Sequence, residues 1–175
     1  MEIRGAGRIA RAAARALYDY STNIQCTDIT QYCQMMQAAA DLLVSTRPTA
    51  VSLPNAVNLV IKPLRGESDL LTAKQNLQKR ALTFIKRSEE AVTKIGTIGA
   101  RHIRDGDVIL THCNSEAALA CILAAHTQGM DIEVYATEVR PRNQGHITAK
   151  TLSDAGVKTN FIVDSAARYF MKEVD

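Results

Sequence analysis

The chain has 175 residues, 46% of them hydrophobic, 22% charged and 5% aromatic, with a formal net charge of +3. That is enough apolar material for a buried core, in one domain or two small ones, and it excludes a disordered chain. The mild charge and sparse aromatics require no polynucleotide and fit a small anionic ligand better.

Ile3 to Tyr20 reads as a helix with two surfaces. Ala6, Ala10, Ala13 and Leu17 form a packing stripe beside Arg4, Arg8, Arg11 and Arg15. Arg11 and Arg15 read as a solvated basic face. Arg4 and Arg8 differ, because Gly5 and Gly7 flank Ala6 there, and a Gly-rich helix start with exposed N–H groups attracts phosphate.

From Asp28 to Val44 the spacing of Ile29, Tyr32, Cys33, Met36, Ala40 and Leu43 predicts a second helix, opened by Thr27 or Asp28. Ser45-Thr46-Arg47-Pro48 breaks it, and Thr49 to Ile61 resumes it, with Pro54 marking a kink or a new start. Leu64 to Asp69 is a polar break. Leu77, Ala81, Phe84, Ile85, Val92, Ile95 and Ile98 then mark a long amphipathic helix whose lysines and arginines lie off the stripe, and Gly96 and Gly99 read as its end.

Beyond the turn Arg104-Asp105-Gly106-Asp107, one unit repeats three times. Strands Val108–Thr111, Ile132–Thr137 and Val157–Val163 each lead through a polar turn into a helix, over Glu116–Thr127, Ile147–Ala155 and Ala166–Val174. Such alternation is the mark of a parallel α/β sheet. The fold class is therefore α/β, with a helical N-terminal subdomain over residues 1–100. Residues 101–175 carry the first three βα units of a Rossmann-like parallel sheet, truncated at its C-terminal side. An unprotected edge calls for a further strand, and the chain alone is expected to be aggregation-prone or multimeric.

In an open α/β sheet the turns at the carboxyl ends of the strands line the ligand crevice. Cys113, Asn114, Arg140, Arg142, Gln144, Asp164 and Ser165 all lie in such turns. Cys26, Cys33, Cys113 and Cys121 lack Cys-x-x-Cys spacing and are expected to be reduced thiols. His102 and His112 complete no recognisable ligand set, so neither a metal nor a cofactor is expected. No apolar run reaches transmembrane length, and Met-Glu-Ile-Arg-Gly is unlike a signal peptide, which points to a cytoplasmic protein with no membrane partner.

Five segments together carry a resemblance: Met-Glu-Ile-Arg-Gly-Ala-Gly-Arg at the start, Arg-Pro-Thr-Ala-Val at 47 to 51, Thr-His-Cys-Asn-Ser at 111 to 115, Thr-Glu-Val-Arg-Pro-Arg-Asn-Gln-Gly at 137 to 145, and Asp-Ser-Ala-Ala at 164 to 167. In this order, and over nearly the whole chain, they resemble the initiation factor 2B-like family, which holds the archaeal ribose-1,5-bisphosphate isomerases and the methylthioribose-1-phosphate isomerases. The resemblance implies an aldose–ketose isomerase acting on a C1-phosphorylated ribose, in nucleoside monophosphate (AMP) breakdown. The alternative it leaves open is a non-catalytic regulatory subunit that binds a sugar phosphate or nucleotide.

Residue by residue, Cys113 matches the catalytic cysteine, and a strand end before a helix N-terminus is a setting that favours thiolates in general. Arg4, Gly5, Ala6 and Arg8 match the phosphate-binding segment, Arg47 lies in the Arg-Pro-Thr motif, and Asn114, Arg140 and Gln144 match polar positions of the strand turns. Asp164 and Ser165 stay open between ligand binding and helix capping. The resemblance further implies a homo-oligomer and a nucleotide such as AMP as effector. The family's second catalytic group, an aspartate in a Gly-Ala-Asp segment, falls on a strand after residue 175, so this chain alone is expected to be inactive.

Overall fold

In a computed structural model, which describes residues 3–175, the chain divides into two compact units, Met1–Glu90 and Ala91–Asp175. The first is helical. It contains α1 (Ala6–Asn23), α2 (Ile29–Ser45), α3 (Ser52–Ile61), a 3-10 turn over Lys62–Gly66, and the larger part of α4 (Leu70–Gly99).

Its core follows the apolar spacings. Leu17 of α1, Tyr32 and Met36 of α2, Val57 and Val60 of α3 and Leu77 of α4 are all fully buried. Each such side chain contributes about 1.5–3 kcal/mol by leaving water. The hydroxyls of Tyr32 and Ser21 satisfy one another inside this core at 2.7 Å. Burial, as the largest cause, pushes the Tyr32 phenol above its ordinary pKa. Asp28 caps α2 by accepting from the Gln31 N–H at 2.8 Å, and Pro54 falls in the first turn of α3, marking a new start.

Two expectations are corrected in this unit. The first helix begins at Ala6 rather than Ile3, because Gly5 takes a left-handed φ of +93° that ends the regular geometry. Arg11 is not a solvated residue: its side chain is only 16% exposed, and its guanidinium donates to Ser88 Oγ at 3.2 Å and lies 3.9 Å from the Glu89 carboxylate.

In the second unit β1 (Val108–Thr111), α5 (Glu116–Thr127), β2 (Glu133–Thr137), α6 (Gly145–Asp154) and β3 (Lys158–Ile162) alternate. The three strands are parallel in the order β1-β2-β3, with Val108 opposite Glu133 and Glu133 opposite Lys158. Leu119 and Ile122 of α5, Val134 of β2 and Leu152 of α6 form one core against the sheet.

Gly96 lies inside α4 instead of ending it. A Cβ at Gly96 would come within 2.9 Å of the Ala120 carbonyl oxygen, so the glycine serves the close approach of α4 to α5. The expected last helix, Ala166–Val174, is also corrected. The segment is a 3-10 turn over Asp164–Ala166, the single-turn α7 (Ala167–Phe170) and a 3-10 turn over Met171–Glu173. Phe170 of α7 stacks on the Tyr135 ring, with centroids 4.6 Å apart, and the Tyr135 hydroxyl donates to Glu173 at 3.2 Å. Tyr135 follows the core residue Val134 and so projects to the opposite face of the sheet. Helices therefore flank both faces, as in a doubly wound fold.

Candidate active site

The turns after the three strands are fastened to one another by side chains. After β1 the chain turns at Cys113, whose φ of +69° is left-handed, and Ser115 caps α5 by accepting from the Ala118 N–H at 3.3 Å. After β2 it turns through Val139 and Asn143, with φ of +62° and +49°. Among the described residues these are the three non-glycine positions with positive φ, and all lie in the two turns. A left-handed non-glycine residue costs roughly 1–3 kcal/mol and persists where its surroundings impose it.

Three lateral ties impose it here. Thr148 of α6, 1% exposed, donates its hydroxyl to the carbonyl oxygen of Cys113 at 2.7 Å and lies 3.3 Å from the Asn114 side-chain oxygen. The His112 ring nitrogen Nδ1 meets Thr137 Oγ1 at 2.7 Å, joining the ends of β1 and β2. The Asp164 carboxylate, beyond β3, accepts from the N–H groups of Val139 at 2.8 Å and Arg140 at 2.9 Å, joining β2 to β3. Those backbone donors, first Arg140 and then Val139, hold the Asp164 carboxyl below its ordinary pKa, with smaller help from the Thr137 hydroxyl and His112.

Gly145 completes the turn after β2. A Cβ there would run into the carbonyl oxygen of Thr137, so only glycine fits at the start of α6.

The structure thus brings Cys113, Asn114, Arg140, Gln144, Asp164 and Ser165 to one end of the sheet. Asn114 is buried, and Cys113 and Gln144, the residue before α6, are half-buried. The Arg140 side chain is 76% exposed, 3.7 Å from the Glu138 carboxylate, and Ser165 is exposed. Arg142 is exposed in the same turn. Asp164 does not cap the segment that follows it: its two oxygens organise the turn that precedes it.

In the helical unit Arg4 and Gly5 precede α1, while Ala6 and Arg8 open it. Gly5 offers no capping side chain and the first turn holds no acidic residue, leaving an N-terminus whose N–H groups and dipole suit an anion. Arg47 follows α2, half-buried, its N–H donating to the Val44 carbonyl at 3.1 Å.

The sequence marks His112 only as an incomplete metal ligand, Thr137 only as a strand end, and Thr148 not at all. A lone buried threonine on a helix carries no signal of its own; only the fold shows which carbonyl it meets. A groove of 590 Å³ lies elsewhere, along α3 and α4, lined by Leu59, Arg80 and Phe84. No cysteine, histidine or carboxylate lines it, and Arg80 is paired with Glu67 at 3.1 Å, in contrast to the strand ends, which hold Cys113, His112 and Asp164. Among the described residues no group of His, Cys, Asp and Glu is arranged to hold a metal ion, and no helix is long and apolar enough to cross a membrane.

A parallel sheet flanked by helices, with a cysteine turn at the carboxyl end of its first strand, defines a Rossmann-like α/β protein. The chain belongs to the Initiation factor 2 subunit family, whose pattern matches residues 2–175. It is 53% identical to the ribose 1,5-bisphosphate isomerase of Methanocaldococcus jannaschii over 100% of this chain and 56% of that protein. Among solved structures, it resembles the translation initiation factor eIF-2B of Pyrococcus horikoshii OT3 with a TM-score of 0.86 and 28% identity, covering 99% of this chain and 59% of that one. The 5-methylthioribose 1-phosphate isomerase of the same organism gives a TM-score of 0.83 at 29% identity, covering 98% and 51%. The chain spans about half the length of the curated relatives it matches.

Proposed function

We propose that this chain forms part of a sugar-phosphate aldose–ketose isomerase that converts ribose 1,5-bisphosphate to ribulose 1,5-bisphosphate. The observation that carries the reading is Cys113, held in a left-handed turn at a strand end by Thr148, in a chain homologous over its whole length to ribose 1,5-bisphosphate isomerases.

The chemistry requires proton transfer at two places. The C1–O bond of the ring opens and the hydrogen on C2 moves to C1. The C2 hydroxyl becomes a carbonyl, and the proton it releases balances the one taken up by the ring oxygen. Cys113 serves as one acid or base in this sequence, and the second group belongs to the part of the protein that this chain does not span. The phosphates are held by Arg4, Gly5, Ala6, Arg8 and Arg47 and by the polar turn residues Asn114, Arg140, Gln144 and Ser165. Arginine suits the role because its planar fork binds two phosphate oxygens at once. Asp164 acts through the turn it holds. The same proposal includes a homo-oligomeric, cytoplasmic protein with a nucleotide such as AMP as effector.

The test is Cys113→Ser in the complete protein. Turnover of ribose 1,5-bisphosphate should fall by orders of magnitude while the melting temperature stays nearly unchanged. Turnover close to that of the parent would overturn the assignment.

A further inference from the structure

His112 precedes Cys113 in the turn after β1, and one hydroxyl decides which of its ring nitrogens carries a proton. Nδ1 lies 2.7 Å from Thr137 Oγ1 at the end of β2. A hydroxyl has a single proton to give and can accept as well. Thr137 is 2% exposed, which leaves water little share in its bonding. Its proton goes to the Asp164 carboxylate, whose pKa is lowered first by the N–H groups of Arg140 and Val139 and then, more weakly, by this hydroxyl bond. An ionised carboxylate only accepts, and its roughly four lone-pair sites have room for a third donor beside those two N–H groups.

With its proton committed to Asp164, Thr137 Oγ1 can only accept from His112, so Nδ1 is the nitrogen that bears hydrogen. In the neutral imidazole Nε2 is then bare. The geometry of the ring turns Nε2 away from Thr137, His112 is exposed, and among the described residues no other group bonds the ring. A bare ring nitrogen cannot hold an unprotonated phosphate oxygen, because two lone pairs would face each other with no hydrogen between them. It needs a donor, and on a phosphorylated sugar the donors are hydroxyls.

We propose that Asp164 and Thr137 hold His112 in its Nδ1–H form, so that the bare Nε2 accepts a hydrogen bond from a hydroxyl of the sugar bound beside Cys113. Thr137 and Asp164 are positioning residues that act through His112, and the arginines remain the groups for phosphate. The carboxylate that organises the turn after β2 thus also sets the place of a proton after β1, two strands away. The inference rests on the isomerase reading for the identity of the sugar, whereas the form of the ring follows from the three side chains alone.

The test labels the histidines of the complete protein with ¹⁵N and reads both ring nitrogens of His112 at about pH 9, where imidazoles in general are neutral. The signals that vanish in His112→Asn identify the ring. The expected spectrum shows a protonated Nδ1 and an unprotonated Nε2, and Thr137→Val should move it toward the Nε2–H form. Calorimetry reads the contact itself. His112→Asn, whose amide reaches only the Nδ1 position, should weaken binding of ribose 1,5-bisphosphate by roughly three- to tenfold, with no loss toward inorganic phosphate read by competition. His112→Gln, whose amide oxygen reaches the Nε2 position, should recover most of the affinity. An Nε2–H spectrum in the parent, an asparagine variant that binds the sugar like the parent, or an equal loss toward inorganic phosphate would each overturn the inference and leave the isomerase reading standing. A parent that binds no ribose 1,5-bisphosphate would overturn that reading and the hydroxyl contact with it.

Discussion

The buried hydroxyl of Thr148 in α6 and the carbonyl oxygen of Cys113 after β1 are 2.7 Å apart, although 35 positions separate them in the chain. Thr148→Val keeps the shape and removes the donor, leaving a partly buried carbonyl without its partner. The expected cost is about 1–3 kcal/mol in denaturant unfolding, with most of it restored by Thr148→Ser. A valine variant as stable as the parent would show that the tie does not hold the turn.

Val139 is a β-branched residue with a φ of +62°, a conformation that glycine adopts without steric cost. Removing strain of roughly 1–3 kcal/mol outweighs the roughly 0.5–1 kcal/mol of extra backbone entropy that glycine loses on folding. Val139→Gly is therefore expected to raise stability by about 1 kcal/mol, read from the unfolding midpoint. A clear loss would mean that packing of the valine, and not strain, dominates.

Asp164 supplies a pH dependence whose sign follows from its lowered carboxyl pKa, caused chiefly by the backbone N–H groups of Arg140 and Val139. A group with its folded value below the unfolded value, about 3.9, stabilises the fold above that pH and ceases to do so as pH falls through the folded value. Asp164→Asn should thus lower the melting temperature near neutrality, and the gap to the parent should close as pH drops from about 5 to about 2. A gap that stays constant over that range would contradict the assignment of the two backbone bonds to an ionised carboxylate.

Tyr32 and Ser21 test the helical unit, since both are fully buried and their hydroxyls are 2.7 Å apart. Tyr32→Phe leaves Ser21 unsatisfied and should cost about 1–3 kcal/mol. Adding Ser21→Ala to it should recover part of that loss, because the double variant has no orphaned polar group. Strictly additive losses in the cycle would exclude direct coupling.

Much of the sheet was legible in the sequence. β1 and α5 fall at Val108–Thr111 and Glu116–Thr127, where a β-branched run and a Ser-capped alanine-rich segment leave little competition. The end of α4 misled because glycine has two uses: Gly96 reads as a terminator, whereas it admits the Ala120 carbonyl. The segment after β3 misled because Phe170 and Tyr135 hold it by a ring stack across the sheet, a contact with no periodicity to read. At the site, the turn residues could be placed at strand ends from the alternation alone. Their mutual fastening through Thr137, Thr148 and Asp164 could not, since each bond joins positions some 25 to 35 residues apart.

The bond from Arg11 to Ser88 spans 77 residues of chain, which bears on how the helical unit is made in a cell. A ribosome adding roughly 5–20 residues per second needs roughly 4–15 s to pass from the first of these residues to the second. Throughout that interval α1 has left synthesis ahead of the part of α4 that neutralises Arg11, and its alanine and leucine stripe has only α2 and α3 to cover it. Slowing translation between these codons should lengthen the exposure and increase capture of the nascent chain by chaperones, whereas a pause placed after α4 has left the ribosome should not.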